Sequence, residues 1–184
     1  MEEAKQKPKF VFEPLDAKHD RAAFSCEEPA LNKYLKTQAS QDVEKNLTAI
    51  FVCTPDGTKI AGYYALSQYS VALDTIPEEL ARKLTRQKQV PATLIGRLAR
   101  DTKFAGTGLG ETLLMDALRR CVNHSRQIAS WAVIVDAKTD TNIAFYRKYG
   151  FIELPKIPRS LFLPISTTEK MLVEAGIDVE PGAR

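Results

Sequence analysis

Hydrophobic residues recur along this chain with two different periods, and these periods predict an alternation of strands and helices. Apolar positions three and four residues apart predict one long amphipathic helix through Leu109, Leu113, Leu114, Ala117, Leu118, Cys121 and Val122. The uninterrupted apolar run Trp131–Val135 predicts a strand that is buried on both faces.

The same patterns, with Pro and Gly as boundary signals, predict the remaining elements. Residues that favour extended backbone predict strands at Lys9–Pro14, Thr48–Cys53, Ile60–Leu73, Thr93–Arg100 and Ser160–Pro164. Helical spacing predicts a helix opened by Pro29 that carries Leu31 to Val43, and further helices at Pro77–Leu84, Thr141–Tyr149 and Thr167–Glu174. This order predicts a single α/β (α+β) domain over residues 9–174, in which helices flank a central mixed, mostly antiparallel sheet. Residues 1–8 and 175–184 are predicted to be terminal tails.

The composition narrows the class of protein. The 184 residues are 44% hydrophobic and 27% charged, which excludes a disordered or collagen-like chain. Three scattered cysteines form no C-x-x-C pair, so we expect reduced thiols rather than disulfides or a zinc ribbon. The longest uncharged stretch, Ile60–Leu73, is shorter than the roughly 20 residues that span a membrane. We therefore expect a cytoplasmic protein without a membrane segment, and the two isolated histidines predict no metal site.

A glycine-rich loop separates a predicted strand from the long predicted helix. Its sequence is Ala105-Gly106-Thr107-Gly108-Leu109-Gly110. Backbone N–H groups at a helix N-terminus can converge on a phosphate, and glycine lets that phosphate approach closely. A P-loop requires a Lys after its last glycine and a dinucleotide fold requires G-x-G-x-x-G, so neither motif fits. A plain strand-to-helix turn is the alternative interpretation.

This spacing resembles the pyrophosphate loop R/Q-x-x-G-x-G/A of the GNAT family of acyl-CoA N-acyltransferases. Ala105 stands where that family has Arg or Gln, so Lys103 or Arg100 would supply the missing side-chain contact. The downstream stretch Thr141–Phe151 resembles the family pattern N-x-x-A-x-x-x-Y-x-x-x-G-F in an F-Y-x-x-x-G-F form.

Three further stretches narrow the resemblance to the GNAT toxins of type II toxin–antitoxin modules. Phe24–Leu35 is similar to their F-x-C-x-x-x-x-L-x-x-[YWF]-L opening, Gly62–Leu66 to their G-Y-Y-x-L strand, and Leu94–Asp101 to their L-G-R-L-A-x-D strand. The resemblance implies a single GNAT domain that transfers acetyl from acetyl-CoA to the α-amino group of aminoacyl-tRNA and thereby blocks translation. It also implies a DNA-binding antitoxin as partner and a homodimer.

The resemblance assigns roles to particular residues. It implies that Tyr146 is the general acid that protonates the leaving thiolate, although a tyrosine that only packs its helix on the sheet is the alternative. The implied acetyl-CoA contacts are Leu98, Ala99, Arg100, Ala105, Gly106, Thr107, Gly108, Leu109, Gly110, Asn142 and Phe145. For Asn142, a role in capping the helix is the alternative.

The basic residues of the chain are concentrated ahead of this loop. Residues 82–103 carry seven basic side chains and one acidic side chain, whereas the net charge of the whole chain is +3. Such a cluster beside an active site attracts a phosphodiester backbone. We therefore expect tRNA contacts from Arg82, Lys83, Arg86, Lys88 and Arg97, with a solvated helix end as the alternative. Two other functions stay open: a GNAT enzyme for a small amine or a protein N-terminus, and a non-catalytic interaction module.

Overall fold

The computed structural model describes residues 9–84 and 87–181. Its seven strands are β1 (Val11–Pro14), β2 (Ala49–Thr54), β3 (Gly62–Ala72), β4 (Gln89–Arg100), β5 (Ala132–Asp136), β6 (Ile152–Glu153) and β7 (Ser160–Pro164). Its six α-helices are α1 (Pro29–Thr37), α2 (Ala39–Glu44), α3 (Glu78–Leu84), α4 (Leu109–Ser125), α5 (Asp140–Lys148) and α6 (Ile165–Glu174). Short 3₁₀ turns lie at Leu73–Thr75 and Thr102–Phe104.

The strands form one mixed sheet in the order β1-β2-β3-β4-β5-β7-β6. β4 and β5 run parallel, with Ala92 opposite Ala132 and Ile95 opposite Val135. The β1–β2, β5–β7 and β6–β7 pairs are antiparallel. The predicted α/β fold with a mixed sheet and flanking helices is therefore confirmed.

The chain packs as two compact units. One comprises the residues up to 65 together with 97–114, and the other comprises 66–96 together with the residues from 115 onward. The core of the first unit contains Phe24, Tyr34, Leu35, Val52, Tyr63 and Ala99. The core of the second unit contains Val71, Val90, Ile134 and Phe162, and the Trp131 ring stacks on Phe162 with 5.4 Å between centroids. Each unit thus buries its own apolar side chains.

Several boundaries differ from the prediction. The helix expected to run from Pro29 past Val43 is broken at Gln38, whose φ of −125° is not helical, so that α1 and α2 are separate. β6 was not predicted because two residues are too few to show a period. In the predicted C-terminal tail, the Glu180 N–H donates to the Asn123 side chain at 2.9 Å. The other predicted tail, residues 1–8, and residues 182–184 lie outside the described residues.

Cys26, Cys53 and Cys121 are buried, and no disulfide joins any of them. Within residues 9–84 and 87–181, no helix is long and apolar enough to cross a membrane. No group of three or more His, Cys, Asp or Glu side chains in that same part of the chain is arranged to hold a metal ion.

Candidate active site

A buried carboxylate anchors the segment that follows β4. Asp101 is 3% exposed, and its two oxygens accept hydrogen bonds from the backbone N–H of Ser25 at 3.0 Å and of Lys103 at 2.9 Å. Its own N–H donates to the Ala61 carbonyl at 2.8 Å. Because these bonds connect three separate segments of the first unit, Asp101 fixes the direction in which the chain leaves the strand.

The glycine-rich loop then turns into α4 through two left-handed residues. Gly106 has φ of 72° and Gly108 has φ of 81°, a region in which an L side chain costs about 1–2 kcal/mol. Gly110 has no positive φ and lies inside the helix. The Gly108 carbonyl accepts from the Thr112 N–H at 3.1 Å, so the helical ladder begins at this glycine.

The loop fits the pyrophosphate of an acyl-CoA. A Cβ placed on Gly106, Gly108 or Gly110 would meet no atom within 4 Å, so the surface in front of the loop is open. The first N–H groups of a helix have no partner within it and carry the positive end of the helix dipole. Open space, absent Cβ atoms and free N–H groups are the features that an anion-binding loop requires.

The other predicted cofactor contacts of the first unit lie on β4. Ala99 is buried in the core, and Leu98 and Arg100 are half-buried. The Arg100 guanidinium lies 3.6 Å from the Glu27 carboxylate, which the sequence pattern did not indicate. Lys103 is exposed. Of the two side chains expected to replace the missing Arg or Gln, Arg100 therefore already has an acidic partner.

The second unit carries the remaining predicted catalytic and cofactor residues on α5. Asn142 belongs to a capping box: its carboxamide oxygen accepts from the Thr139 N–H at 3.2 Å and the Thr139 hydroxyl at 2.8 Å. The hydrogen bonds of this oxygen are therefore those of a helix-capping residue, the alternative role that the sequence left open for Asn142. Phe145 is half-buried, and its ring meets the Tyr146 ring edge-on at 5.3 Å.

Tyr146 is buried at 8% exposure, with its ring 5.4 Å from that of Phe151. Burial, together with the nearby Asp136 carboxylate, raises the pKa of the Tyr146 phenol to about 12. Both causes disfavour the phenolate. The phenol is therefore protonated at neutral pH, as an ordinary tyrosine also is, and it releases its proton less readily.

The predicted tRNA-contacting residues have different surroundings. Arg82 is exposed but forms an ion pair with Glu78 one turn earlier on α3. Lys83 and Lys88 are exposed, and Arg86 lies outside the described residues. Arg97 belongs to the first unit, where its guanidinium carbon lies 3.4 Å from the centroid of the Tyr34 ring.

Sequence reasoning missed the residues that support this site. Asn32 pairs with both backbone groups of Cys26, at 2.7 and 3.1 Å, which explains their spacing in the Phe24–Leu35 stretch. Tyr34 donates to Asp42 at 2.9 Å. Both histidines bond elsewhere, His19 with Glu13 at 2.7 Å and His124 with Gln68 at 2.8 Å. Asn32 and Tyr34 lie within the Phe24–Leu35 stretch that resembles the toxins, whereas no sequence pattern indicated a role for Asp42.

The fold and the loop together define an acyl-CoA transferase. The model of the acetyltransferase (GNAT) domain matches residues 20–159 of the chain, which therefore belongs to the GNAT acetyltransferase family. It is an N-acetyltransferase that uses acetyl-CoA as its acetyl donor, as the resemblance implied.

Similar proteins place the chain near the toxins of that family. A Sinorhizobium fredii protein named "Probable toxin TacT" is 34% identical over 89% of this chain and 96% of its own length. The tRNA-acetylating toxin of Mycobacterium tuberculosis is 38% identical over 78% of this chain and 85% of its own length. The predicted resemblance to GNAT toxins is thereby confirmed.

Solved structures show the same fold. AtaT complexed with acetyl-methionyl-tRNAfMet has a TM-score of 0.83 at 26% identity and covers 89% of this chain and 99% of its own. AtaTR bound with acetyl-CoA has a TM-score of 0.78 at 26% identity and covers 89% of this chain and 98% of its own.

Proposed function

We propose that this protein is a toxin that transfers acetyl from acetyl-CoA to the α-amino group of aminoacyl-tRNA and so inhibits translation. The observation that carries the proposal is the 38% identity to a tRNA-acetylating toxin over most of both chains, in a protein that retains the glycine cradle. The structure of AtaT with acetyl-methionyl-tRNAfMet supports the same acceptor class.

The acetyl donor would be held by backbone groups of the first unit. The N–H groups of Gly106, Gly108, Leu109 and Gly110 would bind the pyrophosphate, since those of Ala105 and Thr107 already donate to the Thr102 and Phe104 carbonyls. The backbone of Leu98, Ala99 and Arg100 would bind the pantetheine arm. The parallel ladder with β5 ends at Ile95, whereas β4 continues to Arg100, so this strand extends beyond that pairing. Acetyl-CoA supplies an acetyl group activated as a thioester.

Tyr146 would donate a proton to the departing thiolate. The phenol is protonated at neutral pH, as a general acid must be, and its raised pKa makes it a weaker acid than an ordinary tyrosine. Asn142 uses its carboxamide oxygen in the capping box, and the amide N–H₂ of the same side chain would contact the cofactor, as would the half-buried Phe145 ring.

The acceptor amine needs little help to lose its proton. An α-amine has a pKa near 8, well below the value near 10.4 of lysine. The adjacent ester of an aminoacyl-tRNA lowers the pKa of the amine further, so a large fraction is neutral at about pH 7 to 8. Exposed Lys83 and Lys88 would attract the tRNA backbone, whereas the Glu78 partner of Arg82 reduces its contribution. A DNA-binding antitoxin partner is part of the proposal, supported by the structures of AtaT bound to the C-terminus of the antitoxin AtaR and of a KacTA–DNA complex. A homodimer and a cytoplasmic location are the remaining parts of the proposal.

Incubation with radiolabelled acetyl-CoA and charged total tRNA tests the proposal. We expect label on the amino acid of charged tRNA and none on uncharged tRNA. Label on polyamines or on protein N-termini, with charged tRNA unmodified, would contradict it. That result would favour the second candidate, an acetyltransferase of small or peptidic amines, for which the ion pair of Arg82 with Glu78 is the supporting observation.

A further inference from the structure

Arg97 has an aromatic support instead of an acidic partner. Its guanidinium carbon lies 3.4 Å from the centroid of the Tyr34 ring, well inside the roughly 6 Å range of a cation–π contact. In the part of the chain that the structure describes, Arg82, Arg100 and Arg147 form ion pairs, but Arg97 forms none. No carboxylate of the described residues therefore pairs with the positive charge of Arg97.

The support itself is rigid. Tyr34 is 5% exposed, and its hydroxyl donates to the Asp42 carboxylate at 2.9 Å, so α1 and α2 together fix the plane of the ring. Asp42 binds the phenol and not the guanidinium. A fixed ring in turn fixes the plane of the arginine that stacks on it.

A guanidinium that stacks on a ring uses its face for that contact, which keeps the N–H donors at its edge for hydrogen bonds. The N–H donors of arginine point outward in the plane of the group, in a fork that matches two oxygens of one phosphate. Arg97 is half-buried, so water competes less strongly for these donors than at a fully exposed side chain. The Arg97 guanidinium is therefore positioned to bind an anion.

The position of Arg97 along β4 indicates which anion its guanidinium would bind. Arg97 directly precedes Leu98, Ala99 and Arg100, the residues proposed to hold the acetyl donor. Side chains alternate along a strand, so Arg97 shares the face of Ala99, which packs in the core with Tyr34 and Tyr63. The guanidinium thus emerges beside α1, on the strand face opposite to that of Leu98 and Arg100.

We propose that Arg97, stacked on Tyr34, binds the phosphate group nearest the amine that is acetylated, the 5′-phosphate of the terminal adenosine of aminoacyl-tRNA. This inference rests on the proposed function and makes Arg97 a specificity-determining residue and Tyr34 a positioning residue. The exposed lysines would act on the RNA at longer range, without selecting this phosphate.

Two minimal acceptors test the inference. One is the aminoacyl ester of adenosine and the other is the aminoacyl ester of adenosine 5′-monophosphate, both carrying the amino acid identified with charged tRNA. They differ by the one phosphate. We expect the wild-type protein to prefer the phosphorylated ester in kcat/KM by on the order of tenfold or more, through KM, as a charge-assisted hydrogen bond predicts.

Variants separate recognition from folding. Arg97→Gln should lose the preference, and Arg97→Lys should retain part of it. Tyr34→Phe keeps the ring but loses the hydroxyl that binds Asp42, so it should retain only part of the preference, whereas Tyr34→Leu should lose it. Lys36→Gln is the matched control, which removes an exposed positive charge from the helix that carries Tyr34 and should leave the preference intact. Thermal unfolding and acetyl-CoA affinity are measured for each variant.

Each outcome decides between the hypotheses. A wild-type protein without the preference, or Arg97→Gln lowering kcat/KM equally for both esters, would overturn the inference while the proposed function stands. A wild-type protein that binds acetyl-CoA but modifies neither ester nor charged tRNA would overturn the proposed function, and the inference with it.

Discussion

The carboxylate of Asp101 accepts a hydrogen bond from the backbone N–H of Ser25 at 3.0 Å, although 76 positions separate the two residues in sequence. This bond ties the segment before α1 to the start of the glycine-rich loop. The F-x-C and L-A-x-D motifs of the toxins are thus two sides of one support. Because Asp101 is only 3% exposed, water cannot readily replace its carboxylate as the acceptor for the Ser25 and Lys103 N–H groups.

Removing this support should weaken the acetyl donor's site without touching it. Asp101→Ala leaves the Ser25 and Lys103 N–H groups without their acceptor. We expect acetyl-CoA affinity, measured by calorimetry, to fall about tenfold, since an unsatisfied buried donor costs about 1–3 kcal/mol. Asp56→Ala is the control, because Asp56 also accepts two backbone N–H bonds but in a turn away from the loop. Equal affinities in both variants would contradict the role of Asp101.

The left-handed glycines allow a test of the cradle. Gly108→Ala and Gly57→Ala place a Cβ at nearly equal φ, 81° and 83°, and neither Cβ meets an atom within 4 Å. Both variants should therefore lose a similar stability, about 1 kcal/mol. Only Gly108→Ala should weaken acetyl-CoA binding, and Gly108→Asp should abolish it by repelling the phosphates. Undiminished affinity in Gly108→Asp would refute the cradle.

The phenol of Tyr146 is tested by removing one oxygen atom. Tyr146→Phe keeps the ring contact with Phe151 and should lower kcat by about 100-fold or more, the usual contribution of a general acid. Acetyl-CoA affinity should be unchanged, since the phenol acts on the leaving group. Exposed Tyr69→Phe serves as the control and should keep full activity. If kcat of the two variants matched, Tyr146 would be a packing residue only.

The stability of the fold should depend on tyrosine ionisation at alkaline pH. Burial raises the pKa of Tyr146 to about 12 and also raises the pKa of Tyr63. The folded state then holds these protons more tightly than the unfolded state, whose tyrosines titrate near pH 10. The resulting stabilisation is complete below pH 10 and is lost as the pH rises from 10 to 12.

Denaturant unfolding at pH 8, 9, 10 and 11 measures this dependence. The free energy of unfolding should begin to fall near pH 9, because burial also raises the pKa of the Cys121 thiol to about 12, and should fall more steeply above pH 10. Tyr146→Phe should make the fall above about pH 10 shallower. An unchanged slope in Tyr146→Phe would show that this phenol titrates normally. The acetylation rate should correspondingly show no loss from Tyr146 ionisation below pH 10.

The two exposed lysines should account for the salt dependence of tRNA modification. The double variant Lys83→Glu and Lys88→Glu reverses the charge of two exposed side chains, so it should not disturb the core. We expect kcat/KM for charged tRNA to fall, and its decrease with rising salt to become less steep, because fewer phosphate contacts release fewer counterions. Arg82→Gln should have a smaller effect because Glu78 already pairs with Arg82. A salt dependence identical to that of the wild type would exclude the lysines from the tRNA path.

Much of the fold followed from local patterns. The period of Leu109–Val122 predicted α4 and the apolar run predicted β5, because helices and buried strands impose these spacings wherever they occur. The glycine-rich loop could be predicted for a similar reason, because glycine by itself favours a positive φ, and Gly106 and Gly108 both adopt one. The break at Gln38 was not foreseen, because the apolar spacing continues across it.

The partners of polar side chains could not be read from such patterns. The sequence grouped Arg97 with the basic residues of α3 and left Arg100 free for the cofactor, yet folding places Arg97 on Tyr34 and Arg100 beside Glu27. An ion pair or a stacked ring depends on which segments the sheet order and the core packing bring within a few ångströms. Periodicity and single-residue preferences therefore predict the helices, the strands and the glycine-rich loop. The partner of a charged side chain cannot be predicted from its charge, because only folding decides which residues lie beside it.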